Sequence, residues 1–145
     1  MRLVLDTDVL LSGLRSTIGA SRVLLLAVEE RVITPLASVA TVLEYEAVLT
    51  RPDHLASMQL SVGEVNRFLD GFVALADHIE PRFSIRPSVQ DPDDEMFAEL
   101  AINGQAEAIV SFNLRDYRPI DAQAPGLDIP VCRPGDILRR FSWRP

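Results

Sequence analysis

Apolar and polar positions follow two alternating rhythms along this chain. Leu3-Val4-Leu5 is a short apolar run that ends in Asp6, so Arg2–Asp6 reads as a strand buried on both faces. Ser21–Glu30 has the length and apolar spacing of a helix, and the β-branched stretch Arg31–Thr34 predicts a second strand that stops at Pro35. Val39–Leu49 returns to helical length, with Glu44 and Glu46 inside it and Arg51-Pro52 closing it. Ser61-Val62-Gly63-Glu64 has the form of a capping box and opens a helix predicted to run to about His78. Ile79–Ile85, interrupted by Pro81, offers a short third strand. Asp91-Pro92 opens a further helix, with Asp as cap and Pro at its first position, and Asn103-Gly104 ends it. Ala108–Ser111 and Ile129–Cys132 read as buried strands, and Arg118–Asp128 as a loop.

Strands alternating with helices require right-handed crossovers and a parallel sheet covered on both faces. The fold class is therefore α/β: a three-layer α/β/α arrangement around an open, Rossmann-like central parallel sheet, in a single domain over residues 1–145. In such sheets ligands bind beyond the carboxyl ends of the strands.

Composition narrows the possibilities. With 48% hydrophobic residues the chain is too apolar for disorder, and no apolar run approaches the roughly 18 residues of a membrane span. Asp6 and Asp8 interrupt what would be the core of a signal peptide, and Cys132 is the single cysteine, so a cytoplasmic protein without an internal disulfide is expected. The net charge of −7 argues against a broad basic surface for nucleic acid but says little about one cleft. All 14 basic residues are Arg. The absence of Lys excludes a P-loop phosphate grip and Schiff-base chemistry.

The acids fall on that frame in a pattern. Asp6 ends the first strand, and Asp116 follows Ala108–Ser111 by a short turn. Asp91, Asp93 and Asp94 open a helix, and Glu44 lies in a mostly apolar one. Each has a structural explanation: Asp8 as a turn cap, Asp91 to Asp94 as dipole partners, Glu46 as a solvated face, Asp116 as an Asx turn. Those explanations give no reason for four segments to send acids to one edge. Two like charges about 4 Å apart repel by about 4 kcal/mol at an effective dielectric near 20, so several together need a cation or shared protons. Oxygen ligands select Mg²⁺ or Mn²⁺ over zinc. His54, in a turn region, and His78, at a helix end, are read as non-catalytic.

Val4-Leu5-Asp6-Thr7, Glu44 to Pro52, Asp91 to Phe97 with Ala101, and Ser111 to Tyr117 together resemble the acidic motifs of a PIN domain. The nearest branch is the VapC-like ribonucleases of bacterial and archaeal toxin–antitoxin pairs, and the similarity runs from Leu3 to about Leu138. The resemblance implies that Asp6, Glu44, Asp94 and Asp116 hold Mg²⁺ or Mn²⁺ and cleave RNA. It makes Ser111 and Asn113 companions of the fourth acid, and Asp93 an extra ligand. The family commonly has Asn two places after the first acid, where this chain has Asp8. Arg15, Arg51, Arg115 and Arg118 stand near the motifs as candidates for gripping flanking phosphates. The resemblance further implies a small antitoxin covering the cleft and a homodimer, with Phe141 and Trp143 as candidates for an interface.

Two other readings compete. Leu3 to Asp8 also resembles the Asp-x-Asp strand of haloacid-dehalogenase-type phosphatases, but Leu10 and the lack of Lys depart from that pattern. A non-catalytic binding module on the same fold would have no physical need for a charge cluster.

Overall fold

The computed structural model describes residues 1–82, 95–117 and 128–140. Its centre is a five-stranded, wholly parallel sheet: β1 (Arg2–Leu5), β2 (Thr34–Ala37), β3 (Asp77–His78), β4 (Ala108–Val110) and β5 (Val131–Cys132), in the order β3-β2-β1-β4-β5. Seven helices among the described residues flank it: α1 (Thr7–Arg15), α2 (Ala20–Glu29), α3 (Val39–Leu49), α4 (Pro52–Met58), α5 (Val62–Leu75), α6 (Glu95–Gly104) and α7 (Pro134–Arg140). This is the expected three-layer α/β/α architecture. None of these helices is by itself long and apolar enough to cross a membrane.

β1 is central because it is the most uniformly apolar strand. Leu3, Val4 and Leu5 are all fully buried, with Leu3, Val4 and Leu5 opposite Ala108, Ile109 and Val110 of β4. From there the chain winds outwards twice, once through β2 to β3 and once through β4 to β5. The order of strands therefore reverses between β1 and β4, and the crevice at their carboxyl ends is the position where this topology binds ligands. At the opposite end, Arg2 pairs with Asp77 and donates to the Gly104 carbonyl at 2.9 Å, fixing the amino ends of the strands.

Local chemistry sets the helix boundaries. Ser38 with Thr41, and Ser61 with Glu64, form reciprocal capping boxes at the starts of α3 and α5. An aromatic cluster ties three helices together beneath the sheet edge: Tyr45 of α3 lies 5.7 Å, edge to face, from Phe72 of α5 and 5.8 Å from Phe97 of α6.

Several boundaries differ from expectation. The second strand is Thr34–Ala37 and runs through Pro35. The Thr34 N–H donates to the Met1 carbonyl at 2.9 Å, so the alternation of a parallel strand turns the missing donor of Pro35 away from β1, on the side where β3 pairs only from Leu36 onward. Helix α5 stops at Leu75, and the third strand is Asp77–His78, just ahead of the expected Ile79–Ile85, of which residues 83–85 lie outside the described residues. Pro52 closes α3 and also opens α4, which contains His54. Asp8 lies in the first turn of α1, and Pro134 starts α7. The predicted helix start at Asp91-Pro92 and most of the Arg118–Asp128 loop lie outside the described residues.

Candidate functional site

Two short connections meet at the switch between β1 and β4. In the first, Asp6 ends the strand ladder by donating its N–H to the Val110 carbonyl at 2.9 Å, and its side chain then caps α1, with Oδ1 accepting from the Thr7 N–H at 2.7 Å. In the second, β4 leads into a 3-10 turn (Leu114–Tyr117), and the Ser111 N–H donates to the Cys132 carbonyl of β5 at 2.9 Å. One backbone hydrogen bond and several side chains join the two.

Asp6 is 6% exposed. Its Oδ2 accepts from Ser111 Oγ at 2.8 Å and from the Tyr117 hydroxyl at 3.0 Å. Asp8, two residues further on in the first turn of α1, uses Oδ2 to accept from the Phe112 N–H and from Asn113 Nδ2, both at 3.1 Å. Ser111 has one hydroxyl proton, and the shorter bond to Asp6 takes it over the 3.4 Å approach to Asp8. The Asn113 N–H in turn donates to Ser111 Oγ at 3.0 Å. Oδ1 of Asp8 is buried and has no hydrogen-bond partner among the described residues.

Burial dominates the electrostatics. Desolvation raises the Asp6 pKa against three opposing hydrogen bonds, and the nearby Asp116 carboxylate pushes it in the same direction as burial. Asp8 is pushed up to about 7, first by burial and then by repulsion from Asp6. Tyr45, fully buried, donates its hydroxyl to the Leu5 carbonyl, and burial followed by the Asp6 charge raises its pKa. Thus α3 is tethered to the last residue of β1 one position away from Glu44.

The structure therefore brings together Asp6, Asp8, Ser111 and Asn113, and sets Asp116 close enough for its charge to act on Asp6. Glu44 is half-buried on α3 and makes no hydrogen bond or ion pair among the described residues. Asp93, Asp94, Arg118, Phe141 and Trp143 lie outside those residues. Arg15, Arg51 and Arg115 are exposed. His54 and His78 bond to the carbonyls of Val48 and Val73.

Tyr117 is the participant that sequence reasoning missed. Spacing carries no signal for it, because its inward direction depends on how the 3-10 turn packs. Glu95, the first residue of α6, is a buried acid next to Asp94 in sequence.

The donor set fits a hard divalent cation. It consists of oxygens, two of its carboxylates resist ionisation because of burial and mutual repulsion, and Asp8 presents an unpartnered buried oxygen. Among the described residues no three acidic, His or Cys side chains converge closely enough to hold an ion by themselves. The remaining predicted ligand segment, with Asp93 and Asp94, lies outside the described residues.

In comparisons with known proteins, residues 2–115 match the family described as PIN domain. No curated protein matches the chain.

Proposed function

The chain belongs to the PIN domain family, a nuclease fold, and from that premise we propose that it is an Mg²⁺- or Mn²⁺-dependent endoribonuclease hydrolysing RNA phosphodiester bonds. The observation that carries this reading is the buried pair Asp6 and Asp8 at the strand-order reversal, with Asp116 acting on it and one Asp8 oxygen unpartnered.

Asp6, Glu44, Asp94 and Asp116 hold the cation, with Asp93 as an additional ligand. A bound divalent ion supplies positive charge at the scissile phosphate and acidifies water. Ser111 and Tyr117 orient the Asp6 carboxylate, and Asn113 and the Phe112 N–H orient that of Asp8. Asp94 or Asp116 accepts the proton of the attacking water. The water oxygen bonds to phosphorus, the phosphorus–oxygen ester bond breaks, and the departing oxygen takes a proton from solvent while the carboxylate returns its own to solvent. Arg15, Arg51, Arg115 and Arg118 grip flanking phosphates, which lets an acidic protein take a polyanion.

The enzyme acts in the cytoplasm as a single-domain protein and as the toxin of a toxin–antitoxin pair. It dimerises, and a small antitoxin covers its cleft. Membership of the PIN family leaves the haloacid-dehalogenase-type reading of Leu3 to Asp8 without support. Cleavage of a structured RNA with Mn²⁺, with chelator, and by Asp6→Asn tests the proposal. Cleavage should vanish in the last two conditions. Persistence in both, or inertness with every divalent ion beside tight RNA binding, would overturn it, the second outcome in favour of a binding module.

A further inference from the structure

Helices α2 and α5 enclose a groove of about 290 Å³ that involves none of the candidate acids. Its floor is apolar, formed by Leu26, Phe68, Phe72 and Leu75, and Arg22 and Arg67 flank it. A second cavity of about 250 Å³ shares Val28 and Leu75 with the first and carries Arg31. Among the described residues none of the three guanidinium groups has an ion-pair or hydrogen-bond partner. Glu29 is the acid on the lining. In a chain of net charge −7, two unpaired cations on this groove and a third on the adjoining cavity are a local reversal.

Gly71 adds an independent observation. It lies inside α5, is exposed, lines the groove, and a Cβ built there meets nothing within 4 Å. A helix-interior glycine weakens a helix by roughly 0.5–1 kcal/mol relative to Ala. Packing within the chain gives no reason to accept that loss, whereas a partner backbone seated in the groove does.

We propose that this groove docks an acidic amphipathic helix of a partner protein. Two apolar side chains, three or four residues apart, rest on Phe68, Phe72 and Leu26, while carboxylates meet Arg22, Arg67 and Arg31. Arg22 lies on α2, Arg67 on α5, and Arg31 just beyond the end of α2. That spread suits charges repeated along a peptide better than a single lipid headgroup, and the apolar floor suits a peptide better than RNA. This inference does not depend on the nuclease reading, since α2 and α5 supply none of the proposed catalytic residues.

The test is selection of short displayed random peptides on the full chain, followed by anisotropy titration of the strongest binder. The expected binders are rich in Asp and Glu with paired apolar residues. Their affinity falls at least about tenfold in the Arg22→Glu/Arg67→Glu double variant, at raised salt, and in Gly71→Leu, which fills the groove. Circular dichroism shows that these variants are folded. Failure to recover binders, recovery of basic ones, or binding indifferent to Gly71→Leu overturns the proposal. So does preferential binding, through Arg22 and Arg67, of an RNA oligomer or of phosphatidylglycerol vesicles.

Discussion

Ser111 Oγ donates to Asp6 Oδ2 at 2.8 Å, joining residues 105 positions apart across the reversal between β1 and β4. Tyr117 reaches the same oxygen at 3.0 Å. Ser111→Ala and Tyr117→Phe should each destabilise the fold by about 1–2 kcal/mol in urea titrations. Because both donors serve one buried carboxylate, the double variant should depart from additivity by about 0.5 kcal/mol or more. Strict additivity would mean that the two hydroxyls do not share Asp6.

Asp8 makes stability depend on pH in an unusual direction. Its pKa rises from 3.8 in the unfolded chain to about 7 in the fold, so between those values the native state binds more protons than the unfolded one. This contribution is fully present below about pH 4 and is lost as pH rises through 7. Metal-free protein should melt lower at pH 8 than at pH 5.5, by an amount on the order of 1–2 kcal/mol after allowing for partial solvent screening. Asp8→Asn should flatten the profile, and Mn²⁺ should restore stability at pH 8. Thermal melts in chelator and in Mn²⁺ check both statements.

Tyr45→Phe removes the bond from α3 to the Leu5 carbonyl and keeps the aromatic packing against Phe72 and Phe97. A loss of about 1–2 kcal/mol is expected, from one buried carbonyl left without its donor. RNA cleavage should fall as well, since Glu44 sits next to the released anchor. Cleavage kinetics measured well below the melting temperature separate that effect from instability.

The same substitution should have opposite signs at two helical glycines. In Gly13→Ala the new Cβ would lie 2.5 Å from Leu25 Cδ1 and 3.2 Å from the Ser21 carbonyl oxygen, which is backbone and yields little. Destabilisation of about 1–3 kcal/mol is expected there. In Gly71→Ala the Cβ enters open space, and helix propensity should raise stability by about 0.5–1 kcal/mol. Differential scanning calorimetry of both variants decides it.

The sequence was most informative where one physical effect dominated. β1 and β4 are continuous apolar runs, and α3 and α5 announce themselves by their caps and length. Pro52 misled because one residue serves as both a stop and a start, which hid α4. Thr34–Ala37 was displaced because tertiary pairing tolerates Pro35 on the side that is not yet bonded. Two-residue strands such as β3 are too short to carry a period at all. At the site, Asp6 was legible as the acid that ends an apolar run, whereas Ser111 and Asn113 came from the resemblance to the PIN motifs, and Asp8 stood out as a departure from them. The inward turn of Tyr117 was not legible, because it depends on how the 3-10 turn packs rather than on spacing. Asp94 and Asp93 lie outside the described residues, and Glu44 shares no hydrogen bond with the other acids.

The cluster at the reversal of strand order takes Asp6 and Asp8 from the end of β1 and the start of α1, and Ser111, Asn113 and Tyr117 from far downstream. A ribosome making this chain therefore releases β1 to α5 long before the hydroxyls that orient Asp6 emerge from the exit tunnel. Nascent fragments that stop short of Ser111 carry Asp6 and Asp8 without the hydroxyls that hold Asp6.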